Sequence, residues 1–290
     1  MATILDTVGN TPLVELQNLN PNPEVKIFAK LEGNNPGGSV KDRPALNMIR
    51  GALERGDIDK NTRLIEATSG NTGIALALMA KLFGIEIELV MPETSTRERV
   101  LTMEAFGAKV TLLEDIETCR DYADEKGATG EFYVLNQFAN PDNYKAHYIT
   151  TGPEIWRDTE GAITHFVSSM GTTGTIMGCS RFFKEKNKDI HIVGCQPTEE
   201  ASIPGIRRWP QEYLPKIFEP ERVDRIMDVT QLHAITFTRR LANEEGIFAG
   251  MSSGGAASAA IKLAGEIEKG VIVFITCDRG DRYLSSDLFS

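Results

Sequence analysis

The stretch "THFVSSMGTTGT", residues 164–175, joins a run of apolar and β-branched residues to a turn of glycine and threonine. The run predicts a strand over 164–170, and apolar residues at helical spacing follow in "RFFKEKN", residues 181–187. The same alternation of strand and helix recurs along the chain. We therefore predict an α/β protein whose sheets are mostly parallel and are covered by helices on both faces.

Other segments extend this pattern. Strands are predicted at 25–32, 63–67, 85–92, 108–114, 190–197 and 271–277, and helices at 71–84 and 254–270. The segment of about 198–230 interrupts the alternation, because it is rich in proline and charge. A connection of this length is either a lid or binding segment or a solvated charged loop, and composition alone does not decide between the two.

Composition narrows the class of partner. The chain has 290 residues, of which 41% are hydrophobic and 25% charged, enough for one large domain or two smaller ones that share a cleft. Its net charge of -10 argues against nucleic-acid binding, which needs a basic face, and favours a small-molecule partner. The amino terminus does not resemble a secretory signal, and no stretch has the roughly 18 apolar residues that cross a bilayer. We expect a cytoplasmic protein that does not bind membranes.

Metal-binding patterns are missing from the sequence. The cysteines and histidines are isolated, without CxxC or HExxH spacing, at Cys119, Cys179, Cys195, Cys277, His147, His165, His191 and His233. The spacing therefore predicts neither a metal site nor a disulfide framework, and we expect reduced thiols.

Four predicted loops that lead into helices are rich in glycine and hydroxyl residues. They are "NNPGGSVKD" (34–42), "ATSGNTG" (67–73), "SSMGTTGT" (168–175) and "AGMSSGGA" (249–256). A helix amino terminus offers unpaired N–H groups and partial positive charge, so it can bind an anion. Each loop alone is also compatible with an ordinary helix cap. Four together indicate a site for a ligand with several anionic groups.

Lys41 lies in the first of these loops, where three roles are open. The glycine spacing from Gly33 to Gly38 matches a nucleotide-binding P-loop, but Ser39 stands where the phosphate-binding lysine is required, and no dinucleotide motif occurs. A surface salt bridge remains open. Pyridoxal phosphate chemistry fits better, because it needs a lysine for a Schiff base, a phosphate cradle, and partners for the ring hydroxyl and pyridine nitrogen.

At these motifs the chain resembles the fold-type II pyridoxal-phosphate enzymes, and within them the O-acetylserine sulfhydrylases (cysteine synthases). The motifs are "GNTPLVEL" (9–16), "NNPGGSVKDR" (34–43), "TSGNTG" (68–73), "GTTGT" (171–175) and "SSGG" (252–255). The segments "SIPGIRRWPQEYLP" (202–215) and "CDRGDRYLS" (277–285) resemble the bacterial B-type branch, cysteine synthase B.

The resemblance implies the architecture. We expect a tryptophan-synthase-β-like fold of two three-layer αβα domains, with the cofactor between them. The smaller domain would span 35–145, and the larger would combine 13–34 with 146–290. A homodimer is also implied.

The resemblance implies roles for individual residues. Lys41 would form the Schiff base, Asn71 would bond the ring hydroxyl, and Ser252 would face the pyridine nitrogen. The phosphate would be held by Gly171, Thr172, Thr173, Gly174 and Thr175. The substrate carboxylate would be bound by Thr68, Ser69, Thr72 and Gln137. Pro44 departs from the family pattern, and because proline is tolerated only in the first turn, the helix should begin close to Lys41.

The implied activity is a β-replacement. O-acetylserine and sulfide would give cysteine and acetate, and thiosulfate would give S-sulfocysteine, with Arg207 and Arg208 binding that dianion. The amine of Lys41 would act as the general base. A neutral hydroxyl at Ser252 makes the ring a weaker electron sink than a carboxylate would, which favours elimination over transamination. Cys277 is expected near the ring as a packed thiol.

Two alternative functions remain open. One is a serine or threonine dehydratase or a cystathionine β-synthase on the same fold, and the other is a binding scaffold without catalysis. The retention of both Lys41 and Ser252 argues against the scaffold.

Overall fold

The computed structural model of the chain describes residues 1–68 and 70–290. The strands are β1 (Leu13–Glu15), β2 (Val25–Leu31), β3 (Arg63–Ala67), β4 (Glu86–Pro92), β5 (Lys109–Leu113), β6 (Tyr133–Val134), β7 (His165–Ser169), β8 (His191–Pro197), β9 (Arg225–Val229) and β10 (Gly270–Thr276). The α-helices are α1 (Asp42–Arg55), α2 (Asn71–Phe83), α3 (Arg97–Ala105), α4 (Ile116–Ala128), α5 (Pro141–Ile149), α6 (Thr151–Asp158), α7 (Gly174–Lys186), α8 (Gln231–Glu245) and α9 (Met251–Glu266).

The larger sheet has six strands in the order β1-β2-β10-β7-β8-β9. Only the pair β1 and β2 is antiparallel among its described strands. Neighbouring residues of one strand face opposite sides: Val167 packs in a core with α8 and α9, whereas Phe166 packs in another with α6 and α7. Both faces are therefore buried under helices, which explains the continuous apolar runs that predicted these strands.

The smaller sheet has four parallel strands in the order β5-β4-β3-β6. One face, which includes Leu64 and Leu89, packs against α1 and α2, and the other, which includes Ile65 and Val90, packs against α4. Each sheet is thus the middle of a three-layer αβα arrangement. The predicted α/β class with mostly parallel sheets is confirmed; the exact domain boundaries, 35–145 and 13–34 plus 146–290, stay a prediction.

All seven predicted strands are present, with their ends shifted by at most one residue. Sequence reasoning missed β1, β6 and β9, because two are very short and β9 is an edge strand whose residues are mostly exposed. The predicted helix at 181–187 was too short, since α7 already begins at Gly174. Its first turns consist largely of small residues that carry little periodic signal.

Helix α1 begins at Asp42, directly after Lys41, so Pro44 lies in the first turn, as expected from the sequence. The start of this helix is fixed by buried ion pairs. The Arg43 guanidinium donates to Glu32 at 2.7 Å and to Glu154 at 2.6 Å, and Lys30 lies 2.8 Å from Glu154. Such buried charges are tolerated because each is paired, and removing one partner would be strongly destabilising. The cluster therefore fixes the backbone next to Lys41.

Among the described residues, no α-helix combines the length and the apolar character needed to span a lipid bilayer. Likewise, residues 1–68 and 70–290 contain no group of three or more histidine, cysteine or carboxylate side chains arranged to hold a metal ion.

Candidate active site

The loops at the carboxyl ends of both sheets meet around one cavity of about 630 Å³. Parallel sheets bind ligands at this edge, where strands lead into helix amino termini. Predicted site residues that line the cavity are Lys41, Thr68, Asn71, Thr72, Gln137, Gly171, Thr172, Thr173, Gly174, Thr175, Arg207 and Ser252. Ser69 lies outside the described residues. Arg208 is not part of the lining.

Every charged side chain among the described lining residues is basic. These residues are Lys41, Arg99, Arg120 and Arg207, whereas the chain as a whole carries a net charge of -10. A cavity lined by charge of one sign concentrates ligands of the opposite sign. The cavity is therefore suited to an anionic ligand.

Lys41 lines this cavity and is held there by backbone contacts. The N–H of Val40 donates to the carbonyl of Cys277 at 2.8 Å, and the N–H of Lys41 donates to the Ser39 hydroxyl at 3.2 Å. The first bond attaches the lysine loop to the residue that follows β10, and the second lies within the loop. Burial lowers the pKa of the Lys41 amine, although the nearby Cys277 and Asp278 oppose the shift. A lowered pKa increases the neutral fraction of the amine, which is the form that acts as nucleophile and base.

Residues 171–175 form a turn at the amino terminus of α7. Thr173 has a φ of 68°, a conformation that is strained for a residue with a side chain and is enriched at functional sites. Its hydroxyl is buried without a hydrogen-bond partner in the described chain. A Cβ at Gly171 would lie 2.6 Å from the Gly205 carbonyl oxygen, and one at Gly174 would lie 1.9 Å from Asn143 Oδ1. The turn thus combines glycines that cannot be replaced freely, helix N–H groups and an unused hydroxyl, as a phosphate site requires.

Helix α5 supports this turn through two side chains one helical turn apart. Asn143 donates to the Thr172 hydroxyl at 3.1 Å, and His147 Nε2 lies 3.3 Å from the Thr175 hydroxyl. Burial lowers the pKa of His147 to about 3, so the ring is neutral at neutral pH. Sequence reasoning missed both residues; the only signal was their spacing of four on one helix face.

The segment that follows β8 also packs against this turn. The Trp209 indole donates to the Gly171 carbonyl at 2.7 Å, and the N–H of Arg207 donates to the Met170 carbonyl at 2.9 Å. Arg208 turns the other way, towards the Pro197 carbonyl and the Asp228 carboxylate, which lies 2.5 Å from Nη2. These contacts favour a binding segment over a solvated loop and distinguish the two arginines.

Asn71 lies at the first position of α2 in a polar network. Its amide nitrogen donates to Asp278 Oδ2 at 2.7 Å, and its carbonyl oxygen accepts from Arg282. Asp278 also accepts from the Tyr283 hydroxyl at 2.6 Å. Asp278, Arg282 and Tyr283 were not proposed as site residues from the sequence, although the motif "CDRGDRYLS" contains all three.

Ser252 is buried near the start of α9, where its carbonyl accepts from the Ser169 hydroxyl at 2.8 Å. Cys277 lines the same cavity, and burial raises its pKa to about 11. Its thiol is therefore protonated at neutral pH and is a poor nucleophile. This protonation state agrees with the packed thiol that was expected from the sequence.

The smaller sheet contributes the opposite wall. Thr72 donates its hydroxyl to Gln137 Oε1 at 2.7 Å, and both side chains are buried. Thr68 is buried beside them, just before the amino terminus of α2. The wall therefore presents hydroxyl and amide groups next to the positive end of a helix, a combination that binds a carboxylate.

The family model for "Pyridoxal-phosphate dependent enzyme" matches residues 4–278. The chain belongs to the pyridoxal-phosphate dependent enzymes. Within this family it is 59% identical to cysteine synthase B of Pseudomonas aeruginosa, over 99% of this chain and 97% of that protein. It is 55% identical to cysteine synthase B of Escherichia coli K12, over 100% of this chain and 96% of that protein. The crystal structure of a cysteine synthase from Entamoeba histolytica matches with a TM-score of 0.94 and 37% identity, covering 100% of this chain and 90% of the other.

The resemblance to fold-type II pyridoxal-phosphate enzymes and to cysteine synthase B is thereby confirmed. The cofactor of this pyridoxal-phosphate dependent enzyme is pyridoxal 5'-phosphate. The residues in the cavity fit that group. The unpartnered Thr173 hydroxyl and the α7 amino terminus suit its phosphate, and the buried amine of Lys41 suits its aldehyde.

Proposed function

We propose that this chain is a cysteine synthase, which converts O-acetyl-L-serine and sulfide into L-cysteine and acetate. One observation carries the proposal: an amine of lowered pKa, Lys41, lies in a cavity whose described charged side chains are all basic, between the helix amino termini of α7 and α2. The relatives named above support the choice of substrates.

The residues would divide the binding of the cofactor among them. The amine of Lys41 would hold it covalently through its aldehyde, residues 171–175 would bind its phosphate, and Asn71 and Ser252 would contact its ring hydroxyl and ring nitrogen. When bound, the cofactor supplies an electron sink for the α-carbon of the amino acid. The hydroxyl of Ser252 is neutral, so it would not stabilise a protonated ring nitrogen as a carboxylate would. The ring would then be a weaker electron sink, which favours departure of a β-substituent.

The reaction then needs one proton carrier, which is Lys41. Once the amino group of the substrate has replaced it on the cofactor, the freed neutral amine of Lys41 would accept the α-proton of O-acetylserine. The bond from the β-carbon to oxygen would break and acetate would leave with the electron pair. Hydrosulfide then forms the bond from sulfur to the β-carbon, and the Lys41 ammonium returns the proton to the α-carbon. No net oxidation or reduction takes place. Acetate leaves before sulfur adds, which gives ping-pong kinetics.

The wall of Thr68, Thr72 and Gln137 would bind the α-carboxylate of the substrate. Ser69, which lies outside the described residues, is proposed from the family resemblance alone as a further ligand. The bond from Thr72 to Gln137 fixes the Gln137 side chain, so its amide nitrogen is oriented before substrate arrives. A group that is held in place before binding loses less conformational entropy when the substrate binds.

One experiment separates the candidate functions. Purified protein with bound cofactor is mixed with O-acetylserine, the visible absorbance of the cofactor is followed, and sulfide is added. We expect a spectral change with O-acetylserine that sulfide reverses as cysteine forms. Turnover of serine or threonine without that change would instead establish a dehydratase. Formation of cystathionine from homocysteine would establish a cystathionine β-synthase. A colourless protein that is insensitive to borohydride would establish a scaffold.

Thiosulfate is proposed as a second sulfur donor, which would give S-sulfocysteine, with Arg207 as its binding group. Arg207 lines the cavity, whereas Arg208 is paired with Asp228 outside it. Arg207→Ala should therefore lower kcat/KM for thiosulfate by about tenfold, the effect of one charged hydrogen bond, and affect sulfide much less. Arg208→Ala is the matched control. Equal losses with both donors, or equal losses in both variants, would contradict this role.

We also propose that the protein forms a homodimer and is located in the cytoplasm, as expected from the sequence. The molar mass of the protein in solution, measured by light scattering, tests the first. Cell fractionation tests the second.

A further inference from the structure

A buried carboxylate holds the turn that carries Gln137. Glu66, the fourth residue of β3, is only 4% exposed, and its carboxylate accepts from the N–H of Asn136 at 3.2 Å and of Gln137 at 3.3 Å. Asn136 has a φ of 53°, a conformation that costs free energy for a residue with a side chain. The carboxylate thus stabilises a turn that the backbone alone would not favour.

This turn determines where the Gln137 side chain lies. With its backbone fixed by Glu66, Gln137 reaches across to accept from the Thr72 hydroxyl at 2.7 Å. Its own carbonyl accepts from Asn143, which also bonds Thr172 at the phosphate-binding turn. Glu66 is therefore one step removed from the cavity where chemistry takes place: it does not line that cavity itself, but it bonds Gln137, which does.

Glu66 can exchange its proton with solvent. It lines a second cavity of about 350 Å³ between α4 and the segment after β8, which shares Ala67, Arg120, Phe138 and Trp209 with the main cavity. Other charged residues of this cavity are Arg120, Asp124 and Lys216, and Tyr213 also lines it. Burial raises the pKa of Glu66 to about 7, with a smaller contribution from Asp124, while the backbone N–H groups of residues 135–137 oppose the shift.

We propose that Glu66 is a positioning residue for the substrate carboxylate site, whose ionised form aims Gln137 and whose protonation loosens the 136–137 turn. Protonation converts one acceptor oxygen into a donor, which then faces an N–H group and cannot bond it. The proposal rests on the cysteine synthase function, because Gln137 matters only if an amino-acid carboxylate binds there. It predicts tighter substrate binding as pH rises through the range in which Glu66 ionises.

The test compares Glu66→Gln with Glu88→Gln in the enzyme with bound cofactor. Glu88 is also a buried carboxylate, on the adjacent strand β4, but it bonds Lys109 and Thr111 instead of the 136–137 turn. At pH 8, Glu66→Gln should raise KM for O-acetylserine roughly five- to tenfold, the effect of a lost hydrogen bond to a charged group, with kcat nearly unchanged. In wild type, KM should fall as pH rises from 6 to 8, and in Glu66→Gln that dependence should disappear.

A second readout needs no turnover. Amide hydrogen exchange of the segment 133–140, corrected for its intrinsic pH dependence, should slow in wild type as pH rises and stay fast in Glu66→Gln. An unchanged KM and unchanged exchange in Glu66→Gln, or the same changes in Glu88→Gln, would overturn the proposal. If wild type does not react with O-acetylserine, the proposed function fails while the exchange data still test Glu66. If Glu66→Gln does not fold, Glu66→Asp and the wild-type pH series answer the same question.

Discussion

The two walls of the active site are built differently. The phosphate-binding turn, residues 171–175, has no space for extra atoms at Gly171 and Gly174, and neutral side chains from α5 hold its threonines. The substrate wall is held by the ionisable carboxylate of Glu66 and by the bond from Thr72 to Gln137. A cofactor that stays bound through every cycle suits a rigid, uncharged cradle. A substrate that enters and leaves meets a wall whose geometry depends on an ionisable side chain.

The two walls also respond to pH in opposite directions. His147, behind the phosphate-binding turn, has a pKa lowered to about 3, so the folded state loses stability as pH falls below the ordinary value of 6.5. Glu66, behind the substrate wall, has a pKa raised to about 7, so the folded state loses stability as pH rises from about 4.5 towards 7. At neutral pH, His147 therefore does not destabilise the folded protein, whereas the ionisation of Glu66 does.

The largest effect is expected for Lys41, which lies in the cavity that both walls enclose. Lys41→Ala should lower turnover by a factor of about 10³ or more, because it removes both the covalent anchor and the proton carrier. The visible absorbance of the covalently bound cofactor should disappear, while the far-UV circular dichroism stays that of wild type. Lys188→Ala, at an exposed lysine, is the control. Substantial turnover in Lys41→Ala would place the chemistry elsewhere.

A smaller effect is expected when an extra methyl group is added to the phosphate-binding turn. Gly174→Ala would place a Cβ 1.9 Å from Asn143 Oδ1, so Asn143 must move and release Thr172. Overpacking typically costs about 1–3 kcal/mol, which corresponds to roughly a five- to 150-fold loss of cofactor affinity if the cost falls on the bound state. Titration of the apoprotein with the cofactor measures this affinity.

Gly265→Ala provides the comparison, because that glycine lies in helix α9 and an added Cβ would have no described atom within 4 Å apart from its chain neighbours and the nearby backbone of its own helix. It should leave cofactor affinity unchanged and raise helix stability slightly. If both variants bind the cofactor as wild type does, the phosphate-binding turn is not rigid and the contrast between the walls fails.

The smallest effect is expected for His147, which lies behind the phosphate-binding turn and makes the free energy of unfolding depend on pH. Between pH 6.5 and pH 5, burial of a neutral His147 should cost about 2 kcal/mol of unfolding free energy. His147→Gln should remove that dependence. Because Glu66 and Asp42, whose pKa is also raised to about 7, titrate in the opposite sense, the quantity to compare is the variant minus wild type at each pH.

Urea unfolding of the apoprotein at the two pH values gives this difference. His233→Gln, at an exposed histidine, serves as the control. The same difference between His147→Gln and wild type at both pH values would mean that His147 does not stay neutral in the folded protein.

The sequence by itself determined the sheet class, the seven long strands and the loops that carry the chemistry. Buried parallel strands need continuous apolar runs, and anion sites at helix amino termini need glycine and hydroxyl residues, so both leave local signals. Lys41, Asn71 and residues 171–175 were identified in this way together with the family resemblance, and all line one cavity.

Only the tertiary structure decided which residues support that cavity. Asn143, His147, Trp209 and Asp278 act through contacts with residues that are distant in sequence, and their local patterns are ordinary. The same holds for the difference between Arg207 and Arg208, which are neighbours in sequence but point to different surroundings. Local patterns encode backbone conformation and burial, whereas the direction of a side chain and the pKa of Glu66 depend on what the rest of the chain packs around them.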